Sequence, residues 1–86
     1  MTTNLPAALA APVLAKSEAH LSNRLRVARA ERDLSQEQLA QAAGVSRQTI
    51  SSIETGQYCP STLLAFRLAR VLEVRVDDLF WIGGER

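Results

Sequence analysis

Apolar residues recur three and four positions apart through most of the chain after Ser22, the spacing that places them on one face of an α-helix. Leu64, Leu68 and Leu72 show this spacing, as do Ile50 and Ile53. Neither the alternation of a half-buried strand nor a glycine-rich phosphate loop is apparent. The pattern predicts an all-α fold of five short helices, at residues 23–32, 36–43, 47–55, 62–72 and 77–81.

Capping residues mark the ends of these helices. Ser35 followed by Gln38 forms a capping box, in which each side chain bonds the other residue's backbone N–H. Ser46 and Ser61 are N-cap candidates for the third and fourth helices. Gly44 and Gly56 stand where the second and third helices end, because glycine adopts the left-handed conformation at little cost.

The first 21 residues differ in composition from the remainder. They are rich in alanine, carry little charge and are interrupted by Pro6 and Pro12, which prevent a continuous helix. We expect residues 1–21 to be a flexible arm, residues 22–82 one folded domain, and residues 83–86 a tail. Alternatively, Val13, Leu14 and Leu21 of the arm pack on a partner subunit.

Composition excludes several classes of protein. The formal net charge is +1, so bulk charge does not indicate a nucleic-acid partner, although nine of the ten basic residues are arginine. One cysteine and one histidine allow no intramolecular disulfide and show no metal-ligand spacing, so we expect no metal and no cofactor. We find neither a nucleophile–base pair nor a bilayer-spanning apolar run, and expect a cytoplasmic protein that is not an enzyme.

The most informative segment is residues 36–54, in which two short helices meet at Gly44. Ala40 allows their close approach, and Val45, Ile50 and Ile53 supply internal contacts. On a helical wheel, the side of the third helix away from Ile50 and Ile53 carries only polar side chains without an acid. The members of this face are Arg47, Gln48, Ser51, Ser52 and Thr55. Such donors and acceptors are typical of helices that contact base edges.

Longer motifs extend this interpretation. They are R-x-x-R-x-x-R-x-L-S-Q-x-x-L-A at 26–40, G-V-S-R-Q-T-I-S-x-I-E-x-G at 44–56, L-A-F-R-L-A at 64–69 and V-D-D-L-F at 76–80. With these motifs the chain resembles the Cro and lambdoid-repressor (Xre-type) helix-turn-helix family from about Asn23 to Trp81. The resemblance implies a lambda-repressor-like five-helix domain that binds double-stranded DNA, with the helix-turn-helix at helices two and three.

The resemblance also implies roles for individual residues. Base contacts are expected from Arg47, Gln48, Ser51 and Ser52. Contacts to the DNA backbone are expected from Gln36, Ser46, Thr49, Gln57, Tyr58 and Ser61. Arg29 and Glu54 match a structural ion pair. The chain departs from the family at Glu73, where glycine is frequent, at Thr62, where leucine is usual, and in the first 22 residues.

Two functions are consistent with this sequence. The first is a bacterial or phage transcriptional repressor that binds a near-palindromic operator as a homodimer, with the third helices in successive major grooves. Phe66 and residues 80–82 are candidates for the dimer contact. The alternative is an antitoxin-type module whose N-terminal arm binds a toxin or another protein partner while the domain regulates its own operon.

Overall fold

The structure, a computed structural model, describes residues 20–84 as five helices between two short strands. The elements are β1 (Leu21–Asn23), α1 (Leu25–Glu31), α2 (Gln36–Ala43), α3 (Arg47–Glu54), α4 (Thr62–Leu72), α5 (Val76–Leu79) and β2 (Phe80–Ile82). The predicted five-helix architecture is therefore confirmed. The sheet is an addition that the helical pattern did not reveal.

Three serine caps fix where the main helices begin. The hydroxyls of Ser35, Ser46 and Ser61 accept hydrogen bonds from the backbone N–H three residues later. The capping box is complete, since the Gln38 side chain accepts from the Ser35 N–H at 2.8 Å. Each cap satisfies a donor that has no partner inside the helix, so these starts follow from local sequence.

Left-handed residues end α2 and α4. Gly44 follows α2 with φ of 78°, as expected for a glycine at this position. Glu73 ends α4 with φ of 57°, a conformation that disfavours residues with a β-carbon. The departure from glycine noted at residue 73 thus falls on a backbone that glycine would adopt more easily.

The core lies where the five helices meet. Within residues 20–84, thirteen apolar side chains are buried, and Leu25, Leu39, Ile50 and Leu68 are 0% exposed. They fill the space that α2 and α3 share with α1 and α4. Ile50 and Ile53 are the residues of α3 that join this apolar core.

The two strands correct three sequence-based boundaries. β1 pairs antiparallel with β2, in the register Leu21 to Ile82, Ser22 to Trp81 and Asn23 to Phe80. Residue 23 therefore lies outside the first helix, the last helix ends at Leu79, and Leu21 belongs to the fold rather than to the arm. These boundaries depend on pairing between residues about sixty positions apart, and helical periodicity does not reveal such long-range pairing.

The arm proposed for the N-terminus lies almost wholly outside the described residues, as do Glu85 and Arg86 of the tail. Gly83 and Gly84 are described, and the Gly83 N–H donates to the His20 carbonyl at 3.0 Å. None of the helices within residues 20–84 is long and apolar enough to cross a bilayer.

Candidate nucleic-acid interface

The turn between α2 and α3 holds the two helices at a fixed angle. Gly44 reverses the chain, and the Val45 N–H donates to the Ala40 carbonyl at 2.9 Å. Ala40 is 1% exposed, and the half-buried Val45 packs against the core beside it. The small side chain at residue 40 permits this close packing, and α3 is thereby held at the surface of the domain.

The outer face of α3 carries the predicted base-contacting residues. Arg47 and Gln48 are exposed in its first turn, whereas Ser51 and Ser52 are half-buried along its side. The Gln48 side chain donates from Nε2 to the Ser52 hydroxyl at 3.3 Å. This bond across one helical turn restrains the direction of the Gln48 amide.

The loop after α3 is anchored beside this face. The N–H groups of Gln57 and Tyr58 both donate to the Ser52 carbonyl, at 2.8 and 3.2 Å. As a result Gln48, Thr49 and Ser52 line one shallow surface depression together with Gln57 and Tyr58. The structure thus brings together residues that the sequence assigned separately to base contacts and to backbone contacts.

Two other predicted backbone-contacting residues, Ser46 and Ser61, lie at helix starts. Ser46 caps α3, and its hydroxyl lies 2.9 Å from the hydroxyl of Thr49. Ser61 is exposed at the start of α4, where its hydroxyl accepts the Leu64 N–H at 3.1 Å. The positive end of a helix dipole favours an anion at such positions.

An ion pair connects α1 with the end of α3. Arg29 donates from Nε to Oε2 of Glu54 at 2.7 Å and from Nη2 to Oε1 at 3.3 Å. The Glu54 side chain is 0% exposed and that of Arg29 is 17% exposed, so both charges are largely removed from water. Arg29 also donates to the Leu34 carbonyl at 2.9 Å, which attaches the loop before α2 to the same pair.

The carboxylate of Glu54 has further partners that sequence reasoning missed. Gln36 donates from Nε2 to Glu54 Oε1 at 3.0 Å, and the exposed guanidinium of Arg26 lies 3.8 Å from the same oxygen. Gln36 also accepts from Nη1 of Arg47 at 3.2 Å. A glutamine at a helix start carries no sequence signal for such bonds, because its partners lie 11 and 18 residues away.

Asn23 is a second residue whose role the sequence did not reveal. Its side-chain oxygen accepts the Leu25 N–H at 2.9 Å, and its side-chain nitrogen donates to the Ile53 carbonyl at 3.0 Å. The first bond is an Asx turn, which an asparagine two residues before an apolar helix could have indicated. The second bond supports the C-terminal end of α3 from β1.

Within the described part of the chain, no three His, Cys, Asp or Glu side chains are grouped to hold a metal ion. Glu54 is the acidic residue of α3, and its burial keeps its carboxylate away from the outer face.

Comparison with known proteins gives one consistent result. A family model described as helix-turn-helix matches residues 25–79. An uncharacterized HTH-type transcriptional regulator of Bacillus subtilis is 38% identical over 65 residues, which cover 76% of this chain and 98% of the relative. A second such regulator, from Methanocaldococcus jannaschii, is 48% identical over 60 residues, which cover 70% and 91% of the two chains.

A solved structure has a similar fold over part of this chain. The restriction-modification controller protein C.AhdI from Aeromonas hydrophila superposes with a TM-score of 0.62 at 34% sequence identity. The superposition covers 64% of this chain and 83% of the controller protein. The similarity therefore extends from the sequence motifs to the packing of the helices that carry them.

Proposed function

The chain belongs to the helix-turn-helix family over residues 25–79, and on that premise we propose that it is a sequence-specific DNA-binding transcriptional regulator. The observation that carries the proposal is the outer face of α3. There the exposed side chains of Arg47 and Gln48 stand next to a depression shared with Gln57 and Tyr58.

In this proposal α3 enters the major groove. Arg47 suits a guanine edge, which offers two acceptors to a guanidinium. Gln48 suits an adenine edge, which needs one donor and one acceptor. The bond from Gln48 to Ser52 uses one amide hydrogen, so the carbonyl oxygen and the second hydrogen remain for the base. Ser51 and Ser52 lie on the side of the same helix and supply further hydroxyl donors and acceptors.

Neutral polar groups beside α3 suit the phosphate backbone. The side chains of Gln57 and Tyr58 border the depression next to Gln48, and Tyr58 is 48% exposed. Contacts of this kind set the position of a protein on DNA without distinguishing sequences. Ser46, Thr49 and Ser61 take the same role in the proposal because they lie at the starts of helices.

We extend the proposal to a homodimer on a near-palindromic operator. A single domain of this size offers a small interface to DNA, and two copies on successive half-sites add their binding free energies. Leu63 and Phe66 are 62% and 57% exposed, and they line one groove with Val74. The groove is also bordered by Arg67 and Arg70 and by the ion pair of Arg75 with Asp77 at 3.1 Å. The proposed contact therefore rests on the exposed apolar side chains.

A repressor is the simplest form of this regulator. A dimer on an operator that overlaps a promoter excludes RNA polymerase from the same DNA. Occupancy then follows the concentration of the protein and its affinity for the operator. A reporter with the selected DNA site placed in a promoter distinguishes repression from activation.

The test is selection from a random duplex library with the purified full-length chain, at one stated salt concentration. Enrichment of a two-fold symmetric site, with half-site centres about 34–36 Å apart, supports the dimeric regulator. Enrichment of a single half-site supports DNA recognition and contradicts the dimer. No enrichment contradicts the proposal and favours a protein-interaction module.

A further inference from the structure

The interface contains a chain of polar contacts that begins inside the protein and ends on the outer face of α3. We propose that Glu54 is a positioning residue for DNA recognition, which holds the guanidinium of Arg47 through the side-chain amide of Gln36. The inference rests on the proposed function, because Arg47 is there assigned to a base edge. Glu54 itself has no exposed side-chain surface with which to contact DNA.

The contacts form a continuous path between the two ends. Arg29 fixes the Glu54 carboxylate with two hydrogen bonds, at 2.7 and 3.3 Å. Oε1 of that carboxylate accepts from Nε2 of Gln36 at 3.0 Å. Oε1 of Gln36 then accepts from Nη1 of Arg47 at 3.2 Å. The path thus starts and ends on α3 and crosses the first residue of α2.

The chemistry of the end groups determines the orientation of the central amide. A carboxylate only accepts hydrogen bonds and a guanidinium only donates them. The amide nitrogen of Gln36 must therefore face Glu54, and its oxygen must face Arg47. The reversed amide would face the carboxylate with its oxygen and the guanidinium with its N–H groups. Both hydrogen bonds would then be lost. Because the Glu54 carboxylate fixes the amide in this orientation, Gln36 presents its oxygen to Arg47 and not its N–H groups.

This arrangement reduces the conformational freedom of an exposed side chain before DNA binds. Arg47 has a long side chain in the first turn of α3, and ordering it on DNA costs binding free energy. With Nη1 held by Gln36, the other guanidinium nitrogens remain for a bidentate contact. The second amide hydrogen of Gln36 remains for a phosphate, so both roles proposed for this residue are compatible.

The test is a double-mutant cycle between Glu54→Gln and Arg47→Ala on the DNA site that the wild-type protein selects. Glutamine has the size of glutamate but donates as well as accepts, so it no longer enforces the orientation of Gln36. We expect Glu54→Gln to weaken binding about 3- to 10-fold, the cost of ordering one long side chain. In the Arg47→Ala background the same substitution should change affinity by no more than about twofold, the usual error of additivity.

A loss that is the same factor in both backgrounds, or no loss in the wild-type background, overturns the inference. Arg32→Gln is the matched control. Arg32 also lies beside α1 and crosses to another helix, donating to the Leu72 carbonyl and to Glu73 at 2.8 and 3.0 Å. Arg32→Gln should not relax the preference at the base pair that Arg47 contacts, whereas Glu54→Gln should. Equal relaxation by both variants would mean general destabilisation and would also overturn the inference.

A second variant keeps the test decisive if Glu54→Gln does not fold. Gln36→Leu removes the amide but leaves the pair of Arg29 and Glu54 in place. Its effect should be smaller in the Arg47→Ala background, where only the phosphate contact proposed for Gln36 is still lost. Additive effects reject the path. Failure of the wild-type protein to select any DNA sequence refutes the proposed function instead, so the two failures are distinguishable.

Discussion

Glu54, the last residue of α3, holds a fully enclosed carboxylate that lies 2.7 Å from Nε of Arg29 in α1. The two helices do not neighbour each other in sequence, and this pair joins the first helix of the fold to the helix proposed to read DNA. Arg29 keeps part of its side chain at the surface, whereas Glu54 keeps none. The pair is therefore unequal in its access to water.

We expect Arg29→Ala to lower the free energy of unfolding by about 3–5 kcal/mol, because it leaves a buried carboxylate without its main partner. Glu54→Ala should cost less, since the freed guanidinium can turn towards solvent. Urea unfolding followed by circular dichroism measures both values. Arg26→Ala is the control, and with a side chain 72% exposed its effect should stay below about 1 kcal/mol. A larger loss for Glu54→Ala than for Arg29→Ala would contradict this account.

Gln48→Ala should weaken binding to the selected DNA site by about 1–3 kcal/mol and relax the preference at one base pair. The reason is the loss of an amide that the bond to Ser52 holds in one direction. Binding to a panel of single-substituted sites measures the effect. Gln41→Ala is the matched control, because Gln41 is an exposed glutamine of α2 beside Arg67 and Arg70. An equal loss on every DNA sequence would make Gln48 a backbone contact.

Phe66→Glu should convert the proposed dimer to a monomer. It places a carboxylate in the apolar groove that Phe66 shares with Leu63 and Val74. Sedimentation velocity measures the change in mass. Binding to one half-site should persist, while the increase in affinity from a second half-site should be lost. Val27→Glu provides the control, because Val27 is 46% exposed on α1, away from that groove. A Phe66→Glu protein that remains dimeric would refute this surface as the contact.

Glu73→Gly should raise the free energy of unfolding by about 0.5–1 kcal/mol. Glycine adopts the φ of 57° at the end of α4 without the strain caused by a β-carbon. The substitution also removes an exposed ion pair with Arg32 at 3.0 Å, which contributes little. Glu73→Ala separates the two terms, because it loses the ion pair but keeps the β-carbon. Thermal unfolding should rank the glycine variant above the wild type and the alanine variant below it.

The local sequence determined where α2, α3 and α4 begin and where α2 and α3 end. Ser35, Ser46 and Ser61 cap helices because a hydroxyl reaches a backbone N–H only three residues away. Gly44 and Gly56 have positive φ because glycine lacks a β-carbon, which is a property of the residue itself. The polar face of α3 followed from the spacing of Ile50 and Ile53, and the longer motifs indicated the family.

Tertiary structure alone decided the features that join distant parts of the chain. The last helix ends at Leu79, where β2 begins to pair with β1. The Leu79 carbonyl accepts from the Arg24 N–H and the Gly83 N–H donates to the His20 carbonyl, both at 3.0 Å, so this backbone bonds a distant segment instead of continuing a helix. The contacts of Gln36 with Glu54 and Arg47 arise because packing of α2 on α3 brings them within 3.0 and 3.2 Å. Periodicity and capping describe interactions within a few residues, whereas these bonds require the folded arrangement of whole helices.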